Sequence, residues 1–351
     1  MVARTGLSRR SAAGAIAAGA LAPGLAAFAQ PPGWKPDRLE MLRSQLAAHG
    51  AIRALVMERD GAPPFAHFRA DTTAATGLNV ASVTKSVVSL LVGIAIDRGA
   101  IAGVDEPLAA FFPEHAQAQP LRRVTLRHLL TLSSGFDRGE LDANTDYPDL
   151  ARRLYAPGLV PHALGRRLVD EPGRRFYYSN LDAQLVAVIL ARRVQRPLAD
   201  FARDELFAPL GIANAEWAIG TDGVPDGAAG LRLAPADLMR LGRLVLDEGR
   251  WQGRQVVPRD YVRAATSRQG PSDLPPRGRK ELWGYGFLWW TASTPGDDLP
   301  AFYAAGYGGQ FVYVVPSLRF VLVALTEQAS RDVAARTAAL IRDYAIAAVA
   351  R

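Results

Sequence analysis

The chain has 351 residues, of which 49% are hydrophobic, and it carries a formal net charge of +7. This length and apolar content are enough for a large packed core, so the composition excludes a disordered or low-complexity protein. Basic residues are scattered among acidic ones, and no basic run interleaved with aromatic residues indicates a nucleic-acid groove. The chain has no cysteine, which excludes disulfides, thiolate metal sites and a cysteine nucleophile.

Residues 1–29 have the order of a secretory leader. A basic start at Ser8-Arg9-Arg10 precedes an apolar stretch rich in small residues, and Ala27-Phe28-Ala29 is typical of a cleavage site. The arginine pair is typical of a twin-arginine export signal. The apolar stretch is short and contains glycine and proline, which favours cleavage over a membrane anchor. We therefore predict an exported, periplasmic protein with no stable membrane insertion once this signal peptide is removed.

After the leader, the pattern predicts a helix and then an antiparallel pair of strands. Residues 37–48 have helical periodicity, and strands 51–58 and 65–70 flank a turn-forming segment. The following segment, 83–96, is apolar on nearly every face, which predicts a helix buried all round that ends at Gly99.

The middle of the chain shows mainly helical patterns broken by loops rich in proline, glycine and aspartate, including helices at 181–193 and 235–247. Three strands and a closing helix then follow, at 284–291, 310–315, 319–326 and 331–349. Strands near both chain ends predict an α+β fold with one antiparallel sheet flanked by helices. The corresponding domains are an α/β lobe of 30–110 plus 284–351 and a mainly helical inserted lobe of 111–283, with a cleft between them.

Ser82 and Lys85 are the first candidates for chemistry. Lysine is rare in this chain, and Lys85 follows Ser82 by three residues at the start of the buried helix. Positions i and i+3 share a helical face, so hydroxyl and amine come within bonding reach. Burial and the helix dipole both favour a neutral amine, which could take the proton of a serine nucleophile.

Chance is the alternative, because such a spacing beside one of three lysines is expected roughly one time in five. What favours function is position: a lysine at the start of an apolar buried helix costs stability unless another interaction offsets it.

The second candidate segment is Tyr178-Ser179-Asn180, just before the predicted helix 181–193. On an extended stretch the phenol of Tyr178 and the amide of Asn180 point the same way, so both could face a cleft. The alternative is structural, because Ser179 or Asn180 is a good N-cap and Asp182 completes a capping-box pattern. The segment by itself does not decide between these interpretations.

Third is Gly306-Tyr307-Gly308-Gly309-Gln310, ahead of the predicted strand 310–315. Glycines there let the backbone approach a ligand, and the backbone amide of Gln310 could help to form an oxyanion hole. Read alone, the segment more simply predicts a tight bend between strands.

Other chemistries lack their residues. The sequence has no Gly-x-Ser-x-Gly elbow, no P-loop and no Gly-x-Gly-x-x-Gly. The five histidines have no metal-ligand spacing. His128 has apolar neighbours at helical spacing, which favours a hydrogen-bonded packing residue over a base.

Taken in order, these motifs resemble the penicillin-recognising serine hydrolases, in particular the class C β-lactamase-like esterases and amide hydrolases of the 6-aminohexanoate-dimer-hydrolase-like branch. The resemblance runs from about Leu46 to Gln328. Its motifs are Asn79-Val80-Ala81-Ser82-Val83-Thr84-Lys85, Thr125-Leu126-Arg127-His128-Leu129-Leu130-Thr131, Ser133-Ser134-Gly135, Pro209-Leu210-Gly211-Ile212 and Trp283-Gly284-Tyr285-Gly286.

The resemblance implies a β-lactamase/transpeptidase-like fold and a two-step mechanism without metal or organic cofactor. Ser82 would be the acylated nucleophile, Lys85 its partner and Tyr178 the general base and later acid. Asn180 would contact the substrate, together with the segment from Tyr307 through Gly308 and Gly309 to Gln310. The amides of Ser82 and Gln310 would form the oxyanion hole.

One departure from the family bears on the substrate. Where β-lactamases and peptidases of this family carry Lys-Thr-Gly, this chain has Tyr307-Gly308-Gly309, without the cation that pairs with a substrate carboxylate. We therefore expect a small ester or amide substrate. The alternatives are a β-lactamase or D-alanyl peptidase, and a non-hydrolytic binding or sensor module of the same fold. The sequence does not predict the oligomeric state.

Overall fold

A seven-stranded antiparallel sheet, built from segments near both ends of the chain, is the central layer of the computed structural model. In spatial order its strands are β2 (Phe65–Phe68), β1 (Ile52–Arg59), β12 (Phe320–Thr326), β11 (Gln310–Val315), β10 (Pro300–Gly306), β9 (Trp290–Ser293) and β8 (Gly284–Tyr285). Because β1 pairs with β12, an early and a late segment must meet before the sheet is complete. The predicted α+β class with one antiparallel sheet is confirmed.

The structure describes residues 33–137, 156–271, 284–294, 296–327 and 330–349. The predicted export signal, residues 1–29, lies outside them. Pro32–Arg351 groups as one compact unit, and the predicted division into two lobes stays a prediction.

Helices cover the sheet and fill the middle of the chain. They are α1 (Pro36–His49), α2 (Val83–Asp97), α3 (Leu108–Phe111), α4 (Gln119–Arg123), α5 (Leu126–Leu130), α6 (Leu159–Leu164), α7 (Asn180–Val194), α8 (Leu198–Ala202), α9 (Pro235–Leu246), α10 (Arg259–Ala265) and α11 (Arg331–Leu340). Short strands that the sequence pattern did not predict lie among them: β3 (Leu78–Asn79), β4 (Glu216–Trp217) and β5 (Leu231–Leu233) form a small sheet, and β6 (Arg250–Trp251) pairs with β7 (Arg254–Gln255). Among the described helices, none is long and apolar enough to cross a membrane.

Strand β12 shows why the sheet is buried on both faces. Its odd-numbered residues, such as Val321 and Val323, belong to the apolar cluster that also contains α2 and α9 residues. Its even-numbered residues, such as Phe320 and Leu322, belong to a second cluster with α1 and α11. Because side chains alternate between faces along a strand, a continuous apolar run is what a doubly covered strand requires.

Helix α2 is buried on every side, as its composition predicts. All residues from Val83 to Ala95 are buried, and the helix packs against α7, α10 and β10. Gly99, just after its end, has a φ of +71°, which glycine adopts without strain. The site residues Ser82 and Lys85 are therefore carried by an element fixed through packing.

Two predicted elements differ in the structure. The segment predicted as one strand, 284–291, forms β8 and β9, which pair with each other. The segment turns at Leu288, which has a φ of +58°. Gly286 lies against the end of α10, where an added Cβ would be 2.1 Å from the carbonyl oxygen of Ala265. The final helix is regular only to Leu340 and then continues with π and 3-10 geometry through Ile341–Ala345 and Ile346–Ala348.

Candidate active site

A tight turn presents Ser82 at the start of α2. Ala81 has a φ of +46°, an uncommon conformation for a residue with a Cβ. Its N–H donates to Asn79 Oδ1 at 2.7 Å, which holds the turn. Ser82 is partly exposed, whereas the helical residues that follow are buried. The turn thus leaves Ser82 partly exposed, directly ahead of a buried run from Val83 to Ala95.

Lys85 lies directly beside this hydroxyl and is only 1% exposed. Its Nζ is 2.9 Å from Ser82 Oγ. It is also 2.6 Å from Asn180 Oδ1 and 2.7 Å from the backbone carbonyl oxygen of Ala228. The predicted proximity of hydroxyl and amine is present, and two further oxygens complete the surroundings of the amine.

These three oxygens fit both protonation states of Lys85. The oxygens of Asn180 and Ala228 can only accept hydrogen bonds. A neutral amine can donate its two hydrogens to them and still accept the Ser82 proton with its lone pair. An ammonium can donate to all three oxygens. The amine can therefore gain and return a proton without moving its partners, which is what a general base requires.

Tyr178 lies against the same amine. Lys85 Nζ is 5.0 Å from the centre of the phenol ring, and the ring stacks on Trp290 at 6.2 Å with an angle of 9° between the planes. Trp290 stacks in turn on Tyr303. No hydrogen bond of the Tyr178 hydroxyl occurs in the part of the chain that the structure describes. Its ring position is therefore set by aromatic packing and by contact with the Lys85 amine.

The phenol of Tyr285 also contacts Trp290, the residue on which Tyr178 stacks. The Tyr285 ring meets Trp290 edge-on at 4.8 Å. Burial raises the pKa of Tyr285 well above its usual range, and the nearby phenols of Tyr178 and Tyr303 raise it further. Tyr285 is therefore a neutral packing residue, which leaves Tyr178 as the phenol that contacts the lysine.

Ser179 has the capping role, and Asn180 faces the site, so both interpretations of this segment hold, each for a different residue. The Ser179 hydroxyl accepts the N–H of Asp182 at 3.1 Å, so Ser179 is the N-cap of α7. The Asp182 carboxylate is buried and is bound by Ser134 and by Arg166 at 2.8 Å. Asn180, the first residue of the helix, holds Lys85. The cap and the buried ion pair thus fix the segment that carries Tyr178 and Asn180.

Gly306 ends β10 against the turn that precedes Ser82. A Cβ added to Gly306 would be 2.4 Å from the carbonyl oxygen of Val80 and 3.1 Å from the Cβ of Ala81. The next residue, Tyr307, is 47% exposed. In the described chain, the backbone N–H groups of Ser82 and Tyr307 take part in no hydrogen bond. Both are therefore available to a ligand at the mouth of the site.

Gln310 has a different environment. It is 4% exposed, and its side-chain amide donates to Thr326 Oγ1 at 2.9 Å and accepts the Thr326 N–H at 3.0 Å. Its strand, β11, lies between β10 and β12. None of the described hydrogen bonds joins Gln310 to Ser82, Lys85 or Tyr178. The predicted oxyanion role of the Gln310 backbone amide stays a prediction, and the Tyr307 N–H, which no described hydrogen bond uses, is another candidate for the second donor.

Gly308 and Gly309, between Tyr307 and Gln310, set the backbone conformation of this bend. Gly308 has a φ of +85° and Gly309 a φ of +101°, and a Cβ on Gly309 would be 2.7 Å from Thr337 Oγ1. We therefore interpret both as glycines that the bend requires.

Gly306→Ala should lower both stability and activity, because the new methyl group has no space beside the Val80 carbonyl. We expect a loss of about 1–3 kcal/mol in the free energy of unfolding, measured by urea denaturation, with a lower kcat for the hydrolysis that the sequence predicts. Gly103→Ala is the matched control, since no atom lies within 4 Å of its added Cβ. A Gly306→Ala variant as stable and active as the control would contradict this packing.

His128 is a helix-capping residue, in agreement with its predicted packing role. Its Nδ1 accepts the N–H of Thr125 at 3.1 Å within a capping box. Burial lowers the pKa of His128, with Arg127 adding to the effect, so the ring stays neutral. Within the described ranges, no three histidine or acidic side chains lie close enough to hold a metal ion.

Three features of the site could not be placed from the sequence. The Ala228 carbonyl is a backbone group, so no residue type marks it. Trp290 lies in a segment predicted as one strand, and its contact with Tyr178 depends on the turn between β8 and β9. Gly306 was read as part of a bend, whereas it ends strand β10.

Comparison with known proteins identifies a family and structures of similar fold. The family model described as Beta-lactamase matches residues 59–346. An uncharacterized protein of Alkalihalophilus pseudofirmus is 26% identical over 275 residues, 71% of this chain and 73% of that protein. A candidate 6-aminohexanoate-dimer hydrolase from Bacillus anthracis has a TM-score of 0.70 at 17% identity, covering 88% of this chain and 83% of its own. A class C β-lactamase from Rhodobacter sphaeroides has a TM-score of 0.66 at 19% identity, covering 90% and 100%. At these identities the two structures show a shared fold alone.

Proposed function

The chain belongs to the beta-lactamase family of penicillin-recognising serine hydrolases, and from this premise we propose that it hydrolyses a small ester or amide through an acyl-enzyme on Ser82. The observation that carries the proposal is the 2.9 Å contact between Ser82 Oγ and the buried amine of Lys85. An accessible hydroxyl beside a buried amine is the arrangement of an activated nucleophile.

In the first step, Ser82 Oγ attacks the carbonyl carbon of the substrate and gives its proton to Lys85. The carbonyl oxygen becomes an oxyanion, which accepts hydrogen bonds from the Ser82 N–H and from a second amide, that of Tyr307 or Gln310. When the bond to the leaving group breaks, the proton that Lys85 accepted passes through Tyr178 to the leaving group, and Lys85 is neutral again. The products of this step are the acyl-Ser82 ester and the free alcohol or amine.

In the second step, water attacks the acyl carbon and loses a proton to the Tyr178–Lys85 pair. The bond to Ser82 Oγ breaks, and the serine regains its proton. Lys85 Nζ lies 5.0 Å from the centre of the Tyr178 ring, and the proposal assigns the proton transfers of this step to the two groups together. The direct hydrogen bond to Ser82 supports Lys85 as the proton acceptor in the first step.

The missing cation supports a substrate without a carboxylate beside the reacting bond. The chain has three lysines, Lys35, Lys85 and Lys280, and none lies in the segment 304–310. A β-lactam or a D-alanyl peptide carries such a carboxylate. The likeness to a candidate 6-aminohexanoate-dimer hydrolase also favours linear amides.

A substrate panel tests the proposal. A chromogenic acetate ester, a short linear amide and a chromogenic cephalosporin are compared, and intact-mass spectrometry detects the acylated chain. We expect turnover of the ester or amide, with a burst of one acyl group per chain, and no turnover of the cephalosporin. Cephalosporin hydrolysis would favour a β-lactamase instead. A stable adduct without turnover would favour a sensor module.

Export to the periplasm is a further proposal, supported by the order of residues 1–29. Cell fractionation of the full-length chain, with and without an Arg9→Lys and Arg10→Lys double change, tests it.

A further inference from the structure

The buried carboxylate of Asp226 lies in the turn whose Ala228 carbonyl contacts Lys85. Asp226 is 3% exposed, and none of the catalytic steps above uses it. Its Oδ1 accepts the N–H of Ala228 at 2.9 Å and the N–H of Ala229 at 3.0 Å. Through these two bonds the carboxylate folds the backbone back on itself, and the Ala228 carbonyl emerges from that turn to meet Lys85 Nζ at 2.7 Å.

Two neutral side chains from other elements also bond the backbone of the Asp226 turn. The side chain of Gln184 on α7 accepts the N–H of Gly227 at 2.7 Å and donates to the carbonyl of Pro225 at 3.2 Å. Trp217 on β4 donates its ring N–H to the carbonyl of Asp226 at 2.8 Å. Asp226 differs from both because it lies within the turn and accepts two of the turn's own N–H groups.

Charge also links Asp226 to the base. Burial raises the pKa of Asp226, whereas the bonds from Ala228 and Ala229 and the nearby Lys85 oppose that rise. The side chains from α7 and β4 that bond the turn, Gln184 and Trp217, are neutral. Among the described residues, Lys85 on α2 is the charged group whose attraction acts on this carboxyl. Opposite charges placed close together each favour the other's charged form.

We propose that Asp226 is a positioning residue: it holds the Ala228 carbonyl against Lys85 Nζ, and its charge adjusts how strongly that amine holds a proton. The activity part of this inference rests on the proposed function, in which Lys85 accepts the Ser82 proton. The structural part does not, because it concerns the geometry and protonation of Lys85 alone.

Two substitutions separate geometry from charge. Asp226→Asn keeps an oxygen that can accept both N–H groups but removes the charge, whereas Asp226→Ala removes both. Asp222→Ala is the matched control, because Asp222 makes the same kind of turn in the same loop, accepting the N–H of Val224 at 3.0 Å, and is exposed.

For Asp226→Ala we expect kcat to fall about 100-fold through misplacement of the base, with KM nearly unchanged. For Asp226→Asn we expect kcat within about tenfold of the parent, and the acid limb of the pH profile of kcat/KM at lower pH, because the amine is then neutral at lower pH. Both variants should unfold cooperatively in urea, which separates a lost position from a lost fold.

The protonation of Lys85 can be read without any substrate. Because the chain has only three lysines, NMR of a chain carrying ¹³C-lysine resolves each amine. We expect the Lys85 titration to move to lower pH in Asp226→Asn and not in Asp222→Ala, with Lys35 and Lys280 unchanged. An unchanged Lys85 titration together with a parental kcat in Asp226→Ala would overturn the inference. Failure of the parent to turn over any ester or amide would instead overturn the proposed function and leave the NMR result interpretable.

Discussion

Ser82→Ala should abolish hydrolysis, with kcat/KM lowered by at least about 10⁴-fold. Of the three oxygens that the structure describes around the Lys85 amine, that of Ser82 belongs to a partly exposed residue, whereas Asn180 and Ala228 are buried. No acyl group can then be carried by the chain, so the burst and the mass increase should vanish together. Steady-state kinetics and intact-mass spectrometry with the same ester measure both effects.

Ser86→Ala is the matched control for this change. Ser86 lies one turn further along α2, is buried, and donates to the carbonyl of Leu288 at 2.7 Å. Its replacement should cost about 1 kcal/mol of stability and leave the acyl burst intact. If Ser82→Ala kept the burst, the nucleophile would have to be another group.

Lys85→Met should lower kcat by about 10³- to 10⁴-fold, because it removes the group that accepts the Ser82 proton. Methionine keeps the length and the apolar stem of lysine, so the packing of α2 is preserved. The change leaves the oxygens of Asn180 and Ala228 without a donor, a cost of about 1–3 kcal/mol each, but it also relieves the burial of an amine. These effects oppose each other, and we expect a folded variant.

Lys35→Met provides the comparison for Lys85→Met. Lys35 precedes α1 and lies outside the site, so its loss should leave kcat unchanged. Thermal unfolding of both variants separates loss of chemistry from loss of fold. A Lys85→Met variant that retained parental activity would show that another group takes the serine proton.

The sequence predicted the helix that carries the nucleophile because its composition left no alternative. A segment apolar on every face has to be buried, and the i to i+3 spacing then brings Ser82 and Lys85 together. The contact at 2.9 Å agrees with that reasoning. The expectation that Tyr178 and Asn180 face the same point agrees with their shared contact with Lys85.

Other features depend on tertiary contacts that no local pattern encodes. Strand β10, which begins at Pro300 and includes small residues, has weak strand character by itself and is a strand because β9 and β11 flank it. The side-chain amide of Gln310 bonds Thr326 of the neighbouring strand, a contact that the sequence did not predict. The Asp226 turn could not be predicted either, because its function is expressed through a backbone carbonyl.

The burial of α2 divides the site into a rigid part and an adaptable part. Amides of a helix enclosed on all sides exchange with solvent only when the whole unit opens, so the nucleophile and its base are present whenever the protein is folded. Substrate-dependent adjustment is then expected at Tyr307, whose side chain is exposed. Changes of specificity in this chain should therefore accumulate at Tyr307, while the serine-bearing helix and the glycines of the bend tolerate almost no substitution.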